Sequence, residues 1–79
     1  MSEQVMNEIE DHVPALRRHA YRLAGSMDRA QDLVQDTLLK AISKKDQFEE
    51  GTSLKAWLHR ILFNTFISSK RREKTRGHH

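Results

Sequence analysis

The sequence predicts an all-α fold: a compact bundle of three or four helices with a basic, partly disordered C-terminal tail. Three observations lead there. Apolar residues recur at three- and four-residue steps along most of the 79 residues. No stretch alternates apolar and polar residues as a half-buried strand would. Punctuating residues are scarce, with three glycines and one proline, so long loops are not expected.

The first helical signal spans about Ser2 to Ala24, with Val5, Ile9, Val13, Leu16, Ala20 and Leu23 on one stripe. Pro14 lies within it. It lacks an N–H and its ring crowds the carbonyl of Glu10, which predicts a break near Asp11–Val13 and a second piece with Pro14 in its first turn. Gly25 is placed to stop that piece in a left-handed conformation. Ser26 is a good N-cap for the next helix, and Asp28 suits its positive end. That helix is expected to reach about Lys44, with Ala30, Leu33, Val34, Thr37, Leu38, Ala41 and Ile42 facing inward.

Residues 46–53, Asp-Gln-Phe-Glu-Glu-Gly-Thr-Ser, read as a loop ending in two N-cap candidates. Phe48 is its one large apolar residue, and its simplest role is to anchor the loop to the core. The third helical period runs from about Leu54 to Lys70. Leu54, Trp57, Leu58, Ile61, Leu62 and Thr65 form its main stripe, with Phe63 and Ile67 nearly opposite. A helix apolar on two faces is expected to lie between two others. Beyond Ser68 the chain is strongly basic and is expected to fray within about a turn. This divides the chain into a helical domain, 1–72, and a basic linker or cloning remnant, 73–79, in which the origin of His78 and His79 is open.

Composition excludes several functions. A domain this small buries only about 60% of its unfolded surface, which disfavours a deep catalytic pocket. With no cysteine there is no disulfide framework, thiolate zinc site or cysteine nucleophile, and a reducing, cytoplasmic setting is compatible. No apolar run nears the roughly 20 residues needed to span a bilayer. His12, His19 and His59 lack partners at metal-ligand spacing, and nothing converges on Asp32 and Asp36. We therefore expect no catalytic residues, metal or cofactor, and no enzyme activity.

Charge is more informative. The net +3 divides into −3 over residues 1–36 (four basic, seven acidic) and +6 over residues 37–79 (ten basic, four acidic). Opposite signs in the two halves suggest two different partners, one of them a polyanion. Opposite the core stripe of the second helical segment, Asp32, Gln35, Asp36, Leu39 and Ser43 share one side: a compact acidic patch around a leucine. Most such patches are solvated faces; the leucine among hydrogen-bonding groups fits a protein-binding one. Lys55, His59, Arg60 and Asn64 project from a helix that also carries Trp57, and the basic tail follows. Cations neutralise phosphates and amides read unstacked bases, as single-stranded nucleic acid requires. Trp57, being on the core stripe, also has an ordinary structural reading.

Three strings taken together carry a resemblance: Asp32-Leu33-Val34-Gln35-Asp36-Thr37-Leu38-Leu39-Lys40-Ala41, then Phe48-Glu49-Glu50-Gly51-Thr52, then Leu54-Lys55-Ala56-Trp57-Leu58-His59-Arg60-Ile61-Leu62-Phe63-Asn64-Thr65. In order and spacing they resemble region 2 of bacterial sigma factors, within these the extracytoplasmic-function class. Tyr21-Arg22-Leu23-Ala24-Gly25 also fits, and the likeness covers about residues 10–72. It implies a transcription-initiation domain that acts as a monomer, whose Asp32, Gln35, Asp36 and Leu39 dock on the β′ clamp helices of RNA polymerase core. It implies that Gln47, Phe48, Glu49, Glu50, Gly51, Thr52 and Ser53 form a pocket for a flipped base of the non-template −10 strand. Lys55, Trp57, Arg60 and Asn64 would contact the strand from the helix, followed by Lys70, Arg71 and Arg72. An anti-sigma factor is a further expected partner.

Two departures qualify this. Principal sigma factors carry two adjacent tryptophans on this helix, whereas here Leu58 follows Trp57, so melting would rest on base capture more than on stacking. The −35-reading domain of complete factors is not in this sequence, which suggests an excised region 2. A rival reading is a sigma mimic that binds an anti-sigma factor without DNA; such mimics tend to degrade the loop and basic tail retained here. A generic basic DNA-binding bundle would leave the acidic patch unexplained.

Overall fold

A computed structural model describes residues 2–49 and 51–76, with side-chain surroundings for 7–49 and 51–71. Glu50, the side chain of Arg72, and the terminal His78 and His79 lie outside the described residues. The order is α1 (Ser2–Asp11), α2 (Val13–Ala24), α3 (Met27–Ser43), a short 3₁₀ turn (Lys45–Gln47) and α4 (Leu54–Arg76).

Local chemistry sets the boundaries. The break before Pro14 is one residue wide: His12 leaves the helix, its N–H bonds the Ile9 carbonyl at 3.0 Å, and its own carbonyl accepts from Leu16 at 3.0 Å. Gly25 ends α2 at φ +80°, with its N–H on the Tyr21 carbonyl at 2.8 Å. Ser26 is extended and its hydroxyl accepts from the Arg29 N–H at 3.2 Å, capping α3. Ser53 caps α4 in the same way, accepting from the Ala56 N–H at 3.2 Å. The 3₁₀ turn continues the end of α3 and shortens the expected loop.

The core is one cluster: Ile9 of α1, Leu16 and Ala20 of α2, Ala30, Leu33, Val34 and Ala41 of α3, and Leu54, Leu58, Ile61 and Leu62 of α4. Leu16, Leu58 and Leu62 are fully enclosed, each stabilising the fold by about 1.5–3 kcal/mol through burial. Two hydroxyls are buried with them. Thr37 Oγ1 donates to the Leu33 carbonyl at 2.8 Å and Thr65 Oγ1 to the Ile61 carbonyl at 2.7 Å, each within its own helix. Neither leaves an unmet polar group in the core.

Three expectations are corrected. Helix α4 touches α1, α2 and α3, but all on one broad side. Phe63, on the face expected to meet a second layer, is 47% exposed. The inward stripe of α3 is narrower than its apolar pattern, since Ile42 is exposed and Leu38 half-buried. Helix α4 also continues past Lys70 to Arg76. Between Ser68 and Arg76 there is no glycine or proline to stop it, and Lys and Arg near a helix C-terminus are favoured by the backbone dipole.

Candidate protein- and nucleic-acid-binding surfaces

The α3 patch is on the outside. Asp32, Gln35, Asp36 and Ser43 are all exposed, and Leu39 at their centre is 67% exposed. The buried residues Ala30, Leu33, Val34, Thr37 and Ala41 occupy the opposite side, so nothing in the fold requires Leu39 to be apolar. At one end the patch meets α4. Asp32 lines a crevice of about 160 Å³ with Arg29, Leu33, Phe66, Ser69 and Lys70.

The loop is built by its own backbone. Thr52 bonds the Glu49 carbonyl twice, through its N–H at 3.2 Å and its hydroxyl at 2.6 Å. Gly51 turns the chain at φ +93°, in open space. Phe48 is half-buried and packs on Trp57, with ring centroids 5.2 Å apart and planes tilted by 52°. Phe48 is thus the loop's anchor, and Trp57 is the platform that receives it. Gln47, Glu49, Gly51, Thr52 and Ser53 remain exposed around that anchor.

Helix α4 divides the expected strand contacts. Arg60 and Asn64 are exposed and one turn apart, on the flank shared with Trp57, and Arg71 continues that ridge two turns on. Lys55 does not join them. At 100° per residue it lies about 140° from Arg60 and 180° from Asn64, on the α2 side beside His59. Lys70 is also turned away, with its ammonium 5.6 Å from the centre of the Phe66 ring, at the crevice with Asp32.

Between α2 and α4 lies a contact that the sequence pattern did not reveal. His19 Nδ1 and His59 Nδ1 are 2.7 Å apart, one donating to the other, and the rings stack at 4.9 Å. His59 Nε2 is enclosed without a hydrogen-bond partner. Burial, and then the Arg22 guanidinium, hold His19 below the usual histidine range. Burial, then His19, Lys55, His12 and Arg22, lower His59. The shared proton requires that the accepting Nδ1 be unprotonated, and both shifts run in that direction. Each histidine appeared alone on its own helix; only the packing of α2 on α4 joins them.

Among the described residues, no group of three or more His, Cys, Asp or Glu could hold a metal ion. Nor is any helix long and apolar enough to cross a membrane.

Comparison with known proteins identifies the family. The Sigma-70 region 2 family model matches residues 9–76. The ECF RNA polymerase sigma factor EcfG of Rhodopseudomonas palustris is 43% identical over 74 residues, 94% of this chain and 41% of that protein. The ECF RNA polymerase sigma factor SigG of Mycobacterium tuberculosis is 38% identical over 72 residues, 86% of this chain and 20% of that protein. In the solved structures, the sigma factor RpoE of Bartonella quintana, crystallised with the anti-sigma factor NepR, superimposes with a TM-score of 0.88 at 46% identity, covering 94% of this chain and 46% of that one. The chain thus spans less than half the length of these relatives. With more than four-fifths of its residues inside the family match, and with extracytoplasmic-function sigma factors as its relatives, the chain belongs to the Sigma-70 region 2 family.

Proposed function

We propose that this chain is the promoter-opening domain of a transcription initiation factor, acting by binding and not by catalysis. The exposed face of α3, Asp32, Gln35, Asp36 and Leu39, docks on the β′ clamp helices of RNA polymerase core. The loop 47–53 and the outer ridge of α4 take the non-template strand of the −10 element. The observation that carries this reading is the exposed Leu39 centred among carboxylates and an amide, on a helix whose core side is already satisfied. That face fits a protein partner, while the loop and ridge on another side fit a strand.

Within the strand site the residues divide by chemistry. Arg60, Arg71 and Arg72 neutralise phosphates, and the Asn64 amide reads a base edge. Gly51, Thr52 and Ser53 shape the pocket that receives an unstacked base, on the anchor provided by Phe48 and Trp57. Extruding a base costs a few kcal/mol, offset by a preformed pocket and phosphate contacts. Lys55 and Lys70, on the flanks, contribute through the general field. The domain works in the cytoplasm, where the polymerase is, and the region after Arg72 serves as a linker.

The test is a titration of labelled −10 single strands scanned base by base, in parallel with binding to isolated β′ clamp helices. Asp32→Ala with Gln35→Ala is expected to weaken clamp binding and spare the strand, and Asn64→Ala to do the reverse. Absence of preference among −10 strands would favour the sigma-mimic reading, a module that binds an anti-sigma factor alone. The likeness to a sigma factor crystallised with its anti-sigma factor keeps such a partner in view under either reading.

A further inference from the structure

The outer face of α2 is used by neither surface above. Three of the four basic residues in the acidic first half of the chain, Arg17, Arg18 and Arg22, stand here together. With Tyr21 and Met27 they line an open, largely apolar concavity of about 400 Å³. Tyr21 is 48% exposed and Met27 63% exposed. Leu16 and Ala20 hold the other side of α2 in the core, so the fold does not need Tyr21 or Met27 to be apolar. Helix α2 contains no acidic residue, and among the described residues none of the three guanidinium groups is ion-paired.

We infer that this face is a docking site for an acidic amphipathic helix of a protein partner, with its apolar stripe on Tyr21 and Met27 and its carboxylates on Arg17, Arg18 and Arg22. Charge complementarity commits the site to an acidic occupant. The residue types separate a protein from a nucleic acid. Tyrosine, methionine and arginine are enriched at protein interfaces, while lysine is depleted, and the cations here are arginine alone. Planar guanidinium forks match carboxylates two-to-two. The face offers one ring beside a flexible thioether, which adapts to an apolar side chain. The spacing 17, 18, 21, 22 presents two adjacent ridges of one helix, the geometry on which a second helix lies. The inference is independent of the clamp and strand assignments.

The test uses the whole chain and a labelled synthetic helix of about 16 residues, with leucines at i, i+3 and i+4 steps and glutamates flanking them. Saturable binding in the micromolar range is expected, weakening with salt. Amide shifts on titration should concentrate at residues 17–27. Arg18→Glu with Arg22→Glu, both at exposed helical positions, should weaken binding about tenfold or more. A peptide with lysines in place of its glutamates should bind this charge-reversed chain and not the original. Asp32→Ala with Gln35→Ala should change nothing. Equal binding by the original and reversed chains would overturn the inference. So would amide shifts elsewhere, loss of −10 strand affinity instead of peptide affinity in the reversed chain, or self-association through this face in sedimentation.

Discussion

Replacing Phe48 by alanine tests whether the loop is held by the ring pair. A fully buried phenylalanine cut to alanine costs about 3–5 kcal/mol. Phe48 is half-buried, so about half of that, 1.5–2.5 kcal/mol, is expected. In a domain of this size about 1 kcal/mol moves the melting temperature by roughly 4–8 °C, so a fall of about 6–20 °C should follow. Part of the loss belongs to the contact itself. At 5.2 Å and a 52° tilt, an aromatic pair contributes about 0.5–1.5 kcal/mol beyond area burial. A double-mutant cycle isolates it: the original chain, Phe48→Ala, Trp57→Ala and the double variant, each unfolded in urea. Circular dichroism must be the signal, because Trp57 is the only tryptophan. The coupling should lie in that range, and Phe48→Leu should recover much of the stability. A cycle that closes to within about 0.3 kcal/mol would show that the rings meet without holding the loop, and would refute the reasoning.

Other perturbations have equally definite outcomes. Gly25→Ala places a side chain at φ +80° with nothing within 4 Å, so the loss is purely conformational, about 1–2 kcal/mol in chemical denaturation. Leu58→Ala leaves a cavity where the side chain is fully enclosed and should cost about 2–5 kcal/mol by the same measurement. Because His19 and His59 titrate below 6.5 when folded, the unfolded chain takes up protons first. The stability from the neutral pair is fully present above pH 6.5 and is lost as pH falls through 6.5 toward the folded values. Melting temperature should therefore fall between pH 7.5 and 5.5, and His19→Leu with His59→Leu should flatten that slope.

Much of the helical framework was legible because each signal was local. Pro14, Gly25, Ser26 and Ser53 act within one turn of themselves, and their helices break and begin where the chemistry requires. The α3 patch was legible for a related reason: positions on one straight helix have fixed angles. What depended on neighbours was not legible. Phe63 is apolar, yet no second layer covers it. Lys70 is basic like the arginines that follow it, yet its ammonium sits by the Phe66 ring at the crevice with α3. His19 and His59 meet only because α2 lies against α4. The arginine face of α2 was hidden by averaging, its charge submerged in an acidic half-chain.

The two buried threonines have a mechanical consequence. Each hydroxyl is bonded back into its own helix, so no hydrogen bond from either spans the seam between α3 and α4. To that seam the two threonines contribute shape and packing, not directional pairing. The α2–α4 seam differs, being pinned by a directional bond between two rings. The setting of α4 on α2 is therefore fixed by orientation as well as by packing. Replacing either threonine by valine would keep the shape of the α3–α4 seam, whereas replacing either histidine would remove a constraint on the direction in which α4 lies against α2.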